Sequence, residues 1–256
     1  MSERLHFKVS AGLKNIIGKE LINDKFIAIF ELVKNSYDAG AKEVTIKFEN
    51  IYSDNSAIYI IDDGKGMTKQ EIIDKWLFVA YSEKKNSTYR DNIKFRRNYA
   101  GAKGVGRFSC DRLGERVDLF SKTKEDKTIN VVKINWNEFE NSDTEEFQDI
   151  DVLYDEIESE LIDEKGTIIK ISGLREKWNR DELLKLKKSL TQLVNPEADE
   201  NYDLFNIILE VEEEKEKDEE KSKEENVFDK DIVNGKIINH VFDILNIKTT
   251  KITAII

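Results

Sequence analysis

Glu31-Leu32-Val33-Lys34-Asn35-Ser36-Tyr37-Asp38-Ala39-Gly40 closes a long helical pattern. Leu21, Ile22, Phe26, Ile29, Phe30, Val33 and Tyr37 fall near helical spacing and predict a helix over 18–39. Asn23-Asp24 offers a cap, so a short helix can precede the main one. Gly40 is placed to stop the helix, because glycine accepts the left-handed conformation after the last turn. Val44, Ile46 and Phe48 then alternate as a strand with one buried face. Ile58 to Ile61 reads as a more central strand and ends in the loop signal Asp62-Asp63-Gly64. A helix followed by two strands points to a mixed α and β fold.

Outward from this stretch, 68–79 reads as helical and 82–104 as a charged, mobile loop. A helix is expected from near Gly104 to Leu113-Gly114. Strands follow near 116–121, 129–135 and 167–172, then a helix over 180–194. Residues 210–225 carry ten acids and four lysines and read as a solvated linker or exposed helix. Residues 226–256 regain apolar character, and Ile252-Thr253-Ala254-Ile255-Ile256 resembles the middle of a strand. The expectation is an N-terminal piece of a longer protein, with the start of a following domain at 226–256.

The 256 residues carry a net charge of −11, with 39% apolar residues, enough for a substantial core. That balance argues against coating nucleic acid with the whole surface. The average hides a net +6 over 83–107, which suits phosphates and leaves a DNA-facing patch open. No apolar run reaches the length of a membrane helix, and the first ten residues lack a secretory apolar segment, so a cytoplasmic location is expected. On that view, the sequon Asn86-Ser87-Thr88 is a chance match. One cysteine, Cys110, with His6 and His240, makes a poor metal set.

Three clusters carry chemistry. Glu31 and Asn35 lie one helical turn apart, with Asp38 three residues on. A carboxylate beside an amide carbonyl can hold a water and a hard cation such as magnesium. A plain amphipathic helix with a polar stripe has the same residues. In Asp62-Asp63-Gly64-Lys65-Gly66-Met67, two glycines let backbone approach a ligand, and a strand-end carboxylate can accept from an exocyclic amine such as that of adenine. An ordinary acidic turn reads the same way. Gly101-Ala102-Lys103-Gly104-Val105-Gly106-Arg107 leaves backbone N–H groups uncovered beside two cations, as a phosphate cradle or as a hinge.

Together and in this order, the clusters resemble the GHKL ATPase superfamily, which includes the ATPase component of gyrase, ninety-kilodalton heat-shock chaperones, histidine kinases, MutL and MORC proteins. Glu31, Asn35, Asp38 and Ala39 match its N box, E-x-x-x-N-x-x-D-A. Asp62, Gly64 and Gly66 match its G1 box, D-x-G-x-G, and Gly101, Gly104 and Gly106 its glycine-rich lid end. Gly166-Thr167 before a strand matches a further recurring pair, so the resemblance spans roughly 17–172. It implies a Bergerat-type two-layer α/β sandwich. A mixed, mostly antiparallel sheet would carry helices on one face, with an ATP-binding domain over 18–209 and a lid at 81–104.

The resemblance also implies roles. Glu31 would align or activate the hydrolytic water, and Asn35 would ligate magnesium. Asp38 would complete the helix's contribution to the nucleotide site. Asp62 would read the adenine amine with Thr167 nearby, Asp63 being only its neighbour, and Met67 would pack on the base. Gly64 and Gly66 would shape that loop. Gly101, Lys103, Gly104, Val105, Gly106 and Arg107 would embrace the phosphates. Ser82 with Lys84 or Lys85 is a loose match to the family's lid-start pair. The chain before the helix is too short for a histidine-kinase dimerisation hairpin, Glu31 favours a hydrolase, and within the superfamily the boxes look most similar to prokaryotic chaperone-like or MORC-like ATPases. The implied function is magnesium-dependent ATP hydrolysis driving lid closure and homodimerisation, with 1–17 exchanged between copies. A DNA or protein client would be reached through further domains. The alternatives are a nucleotide-binding module without turnover on its own, and an ATP-gated DNA clamp.

Overall fold

A computed structural model describes residues 22, 24–78, 108–141, 146, 150–194, 205–224 and 228–239. The segment 1–17, the lid at 81–104 and the glycine cluster 101–107 lie outside the described residues.

Helix α1 spans Lys25–Asp38. Of the two candidate caps, Asp24 is the one used. Its Oδ1 accepts from the backbone N–H of Phe26 at 2.6 Å and of Ile27 at 3.1 Å, satisfying donors that have no partner inside the helix. The main helix therefore starts at 25, and residues 18–21 and 23 lie outside the described residues. Its buried stripe is Lys25, Ala28, Ile29, Leu32, Val33 and Ser36, with Phe26, Phe30 and Tyr37 packed at its margins. Gly40, at φ 75°, ends the helix as expected, its N–H bonded to Tyr37 O.

The strands are β1 (Glu43–Glu49), β2 (Ala57–Asp62), β3 (Gly114–Lys122), β4 (Ile129–Asn135), β5 (Leu153–Ile157), β6 (Gly166–Leu174), β7 (Asn206–Val211) and β8 (Gly235–Lys236). They form one sheet in the order β5-β4-β3-β6-β2-β1-β7-β8. Every neighbouring pair is antiparallel except β1 and β7. This is the mixed, mostly antiparallel sheet expected. Helices α2 (Ser109–Leu113), α3 (Trp136–Asn141) and α4 (Arg180–Leu190) accompany α1.

One face of the sheet, with Val44, Ile46, Phe48, Ile58, Ile60, Val117, Leu119, Ile169 and Ile171, joins the helices in the main core. Trp178 locks the layers together, edge-on to Phe26 of α1 at 5.7 Å and to Phe48 of β1 at 4.9 Å. The opposite face carries a smaller cluster of Ile129, Val131, Ile162 and Ile168.

One local expectation changes. Residues 68–79 do not form a continuous α-helix. A single capped turn, Lys69–Glu71, passes into a π-turn, Ile72–Trp76. There Leu77 N donates to Ile72 O, the wider spacing that defines such a turn.

The acidic run 210–225, read as a solvated linker or an exposed helix, is helical over Lys215–Lys221. Its start lies inside β7, and the run continues through a 3-10 turn into α5 (Lys215–Lys221). Glu214 is fully buried and Asp218 nearly so, which two carboxylates tolerate only with partners. Arg180 supplies them, donating to Glu214 Oε2 at 2.8 Å, Asp218 Oδ1 at 2.7 Å and Asp231 O at 2.7 Å. Asn234 N and Nδ2 each donate to Asp218 Oδ2 at 2.8 Å. The described part of 226–256 packs into the same body, because Val233 and Ile237 are fully buried in the main core.

Replacing Arg180 by alanine leaves buried Asp218 without its cation and buried Glu214 with Lys217 alone. We expect a loss of about 3 kcal/mol in denaturant-induced unfolding. An unchanged midpoint would show that the acidic run contributes nothing to the fold.

Candidate functional site

The site forms where α1 meets the end of β2. Ser36 lies on the buried stripe of α1, one small polar residue among apolar ones, and its Oγ donates to Asp62 Oδ2 at 2.9 Å. The other oxygen, Oδ1, accepts from Gly64 N at 2.9 Å. Asp62 is thereby fixed from the helix on one side and from its own loop on the other. Desolvation pushes its carboxyl up to about 6, against the opposing effect of these two hydrogen bonds.

Asp63 has a different job. Its Oδ1 accepts from the backbone N–H groups of Lys42 at 2.7 Å and Glu43 at 3.0 Å, anchoring the start of β1. The loop after it is tied down at several points. Lys65 N donates to Ala39 O at the end of α1, and Lys165 Nζ donates to Asp63 O at 2.6 Å and Gly64 O at 3.1 Å.

Gly66 sits at φ 69°, and a Cβ there would collide with the backbone of Lys122. A Cβ on Gly64 would lie 2.7 Å from Asp62 Oδ1 and 2.9 Å from Ala39 Cβ. Among the described residues, the close approach these glycines permit is to the protein itself. They seat the loop against α1 and β3.

Thr167, buried at the start of β6, pairs with Asp62 in register. Its Oγ1 lies 3.2 Å from Ser121 Oγ of β3. Ser121 Oγ accepts from Met67 N at 2.9 Å, so Met67 is drawn to the same wall. Its side chain is half-buried and packs on the main core.

Glu31, Asn35 and Asp38 all lie on α1. Glu31 and Asn35 are half-buried, whereas Asp38 is buried in the last turn. Lys34 Nζ donates to Glu31 Oε1 at 2.9 Å. Among the described residues, no three His, Cys, Asp or Glu side chains converge as a metal cage. A magnesium ion held by one amide oxygen and completed by waters and phosphates is compatible with that, because magnesium keeps much of its hydration. Gly101, Lys103, Gly104, Val105, Gly106 and Arg107 lie outside the described residues.

Sequence reasoning misses Ser36, Ser121 and Lys165. For Ser36 a signal exists: it interrupts an apolar stripe at helical spacing. Ser121 and Lys165 carry no local signal, since strand pairing brings Ser121 to the site and Lys165 reaches it from the residue just before β6.

Comparison with known proteins places the fold. The family model described as "Histidine kinase-, DNA gyrase B-, and HSP90-like ATPase" matches residues 24–167, and the chain belongs to this family. Its relatives include DNA mismatch repair protein MutL of Dictyoglomus turgidum, 40% identical over 73 residues, which are 28% of this chain and 11% of that protein. MutL of Clostridium botulinum (strain Kyoto / Type A2) is 33% identical over 46% of this chain and 16% of its own length. MutL of Clostridium acetobutylicum is 32% identical over 50% and 18%. The chain thus spans only 11 to 18% of these relatives.

The raised pKa of Asp62 has a thermodynamic consequence. Unfolding lets this carboxyl ionise at an ordinary carboxylate pKa, so its charge opposes folding increasingly as pH rises from about 4 to about 6. Asp62→Asn lacks this penalty. The melting temperature of the variant relative to wild type should therefore rise between pH 4 and pH 7. A difference independent of pH would contradict the desolvated carboxyl.

Proposed function

We propose that this chain is the ATP-binding and ATP-hydrolysing domain of a larger protein. The observation that carries the reading is the fixed Asp62 carboxylate. Ser36 and Gly64 each donate to one of its oxygens, and a carboxylate has lone pairs beyond those two. An adenine amine can donate to one of them, with Thr167 beside it in register. A guanine would present a carbonyl oxygen there and be repelled. Met67 would pack on the base, and Gly64 and Gly66 would hold the loop that carries it.

The catalytic half of the reading rests on α1. Glu31 would orient a water for attack on the terminal phosphate and accept its proton. The Asn35 carbonyl would hold magnesium, and Asp38 would fix the end of the helix at the nucleotide. Bound magnesium would neutralise phosphate charge as it develops. Gly101, Lys103, Gly104, Val105, Gly106 and Arg107 would supply backbone N–H groups and cations to the phosphates. The lid at 81–104 would order over the nucleotide, and two copies would associate.

The relatives described above carry the name DNA mismatch repair protein. With the net +6 over 83–107, this makes DNA the favoured client. The proposed setting is cytoplasmic; no helix among the described residues is long and apolar enough to cross a membrane. One observation favours a second reading, nucleotide binding without turnover. Glu31 is ion-paired with Lys34, so one of its oxygens is engaged by a cation and not by a water.

Asp62→Asn should weaken ATP binding in calorimetry by at least tenfold, the loss of a charge-assisted hydrogen bond. Unaltered affinity would remove Asp62 from the base site. Glu31→Ala should bind ATP as wild type does and release no phosphate above background. If wild type binds ATP and is equally silent, the second reading holds.

A further inference from the structure

A row of polar side chains crosses five strands in register. Asp62 of β2 pairs with Thr167 of β6, Thr167 with Ser121 of β3, Ser121 with Asn130 of β4, and Asn130 with Glu156 of β5. Ser121, Asn130 and Thr167 are all buried, in a sheet whose other buried positions are mostly apolar. Buried amides and hydroxyls persist only with their hydrogen bonds made, so their partners reveal what they do.

Asn130 is the hub. Its Nδ2 donates to Met67 O at 3.2 Å and lies 3.4 Å from Ser121 O. Its Oδ1 accepts from the Tyr154 hydroxyl at 2.7 Å, and that hydroxyl also faces Glu156 Oε1 at 2.6 Å. Lys69 lies over the Tyr154 ring at 4.2 Å, which holds the ring in place. Met67 is therefore gripped at both backbone groups by strands not its own, its N–H by Ser121 and its C=O by Asn130. An irregular loop has no ladder to satisfy these groups. Here two side chains replace it and fix the direction of the Met67 side chain.

We propose that Asn130, oriented by Tyr154, is a positioning residue for base recognition: it acts through Met67 and sets the fit of the pocket to the base without touching the nucleotide. The inference rests on the adenine reading of Asp62 and Met67. It assigns β4 and the edge strand β5, far in sequence from every glycine box, a part in nucleotide selectivity. Asn130 contacts only the base side of the loop, so loosening it should leave the phosphate side unaffected.

The test uses the whole chain and two probes, ATP and inorganic tripolyphosphate, with magnesium. Asn130→Asp keeps the shape and the acceptor for Tyr154 but removes the donor to Met67 O. Its dissociation constant for ATP should rise about tenfold, the loss of one buried hydrogen bond plus an unmet carbonyl. Its affinity for tripolyphosphate should stay within about twofold of wild type, and its preference for ATP over CTP should fall. Tyr154→Phe removes one hydroxyl at the partly exposed edge, and should weaken ATP about threefold with tripolyphosphate unchanged. It serves where Asn130→Asp fails to fold. Equal losses for ATP and tripolyphosphate would mark a merely structural role, and unchanged ATP binding in both variants would overturn the proposal. Wild type that binds tripolyphosphate but not ATP would instead defeat the adenine reading beneath it.

Discussion

The hydrogen bond from Ser36 to Asp62 joins the helix that carries Glu31 and Asn35 to the strand end that carries the first glycine box. Without it the two halves of the site would keep only the Lys65 N–Ala39 O bond and apolar packing, which specifies position loosely. A short polar side chain on the buried stripe of α1 suffices, because Leu32 and Val33 on the same stripe press the helix onto the sheet. The cost is a desolvated carboxylate, and that cost is what tunes Asp62 to about 6. A group held ionised yet poorly solvated is a strong acceptor for a donor arriving with a ligand.

The sheet keeps this contact in place by extending past it on both sides. The long antiparallel run β4-β3-β6-β2-β1 sets the register that aligns Asp62, Thr167, Ser121 and Asn130. On the far side β7 lies parallel to β1, and Arg180 binds the acidic run that follows into the same body. The electrostatics of the chain are thus local. Carboxylates that the composition counts toward a net −11 include several engaged in the fold, Glu214 and Asp218 among them.

What is legible in the sequence follows from which forces are local. Helical spacing, a capping aspartate and a glycine stop define α1, and alternation defines β1 and β2, because each signal lies within a dozen residues. The strand β4 is legible to its observed ends, Ile129–Asn135. β5 is not: Leu153-Tyr154-Asp155-Glu156-Ile157 is a half-exposed edge with no clean alternation. β7 is obscured by the charge that begins within it, although Ile207, Leu209 and Val211 do alternate. The acidic run looks solvated because its partners, Arg180 and Asn234, lie outside it in sequence. The same holds for the site. Motif spacing points to Asp62, Met67 and Thr167; of the side chains that hold them, Ser36 shows as a break in the apolar stripe of α1, while Ser121 and Asn130 come from register and are invisible until the strands are paired.

The central claim is that the Asp62 carboxylate accepts from the exocyclic amine of adenine. Its most direct test compares the affinities of wild-type protein for ATP and for purine riboside triphosphate, which differs only by lacking that amine. The account predicts that the analogue binds at least tenfold more weakly, with competition by tripolyphosphate identical in both titrations. Equal affinity for the two nucleotides would contradict it, and would leave Asp62 a structural carboxylate at the join of α1 and β2.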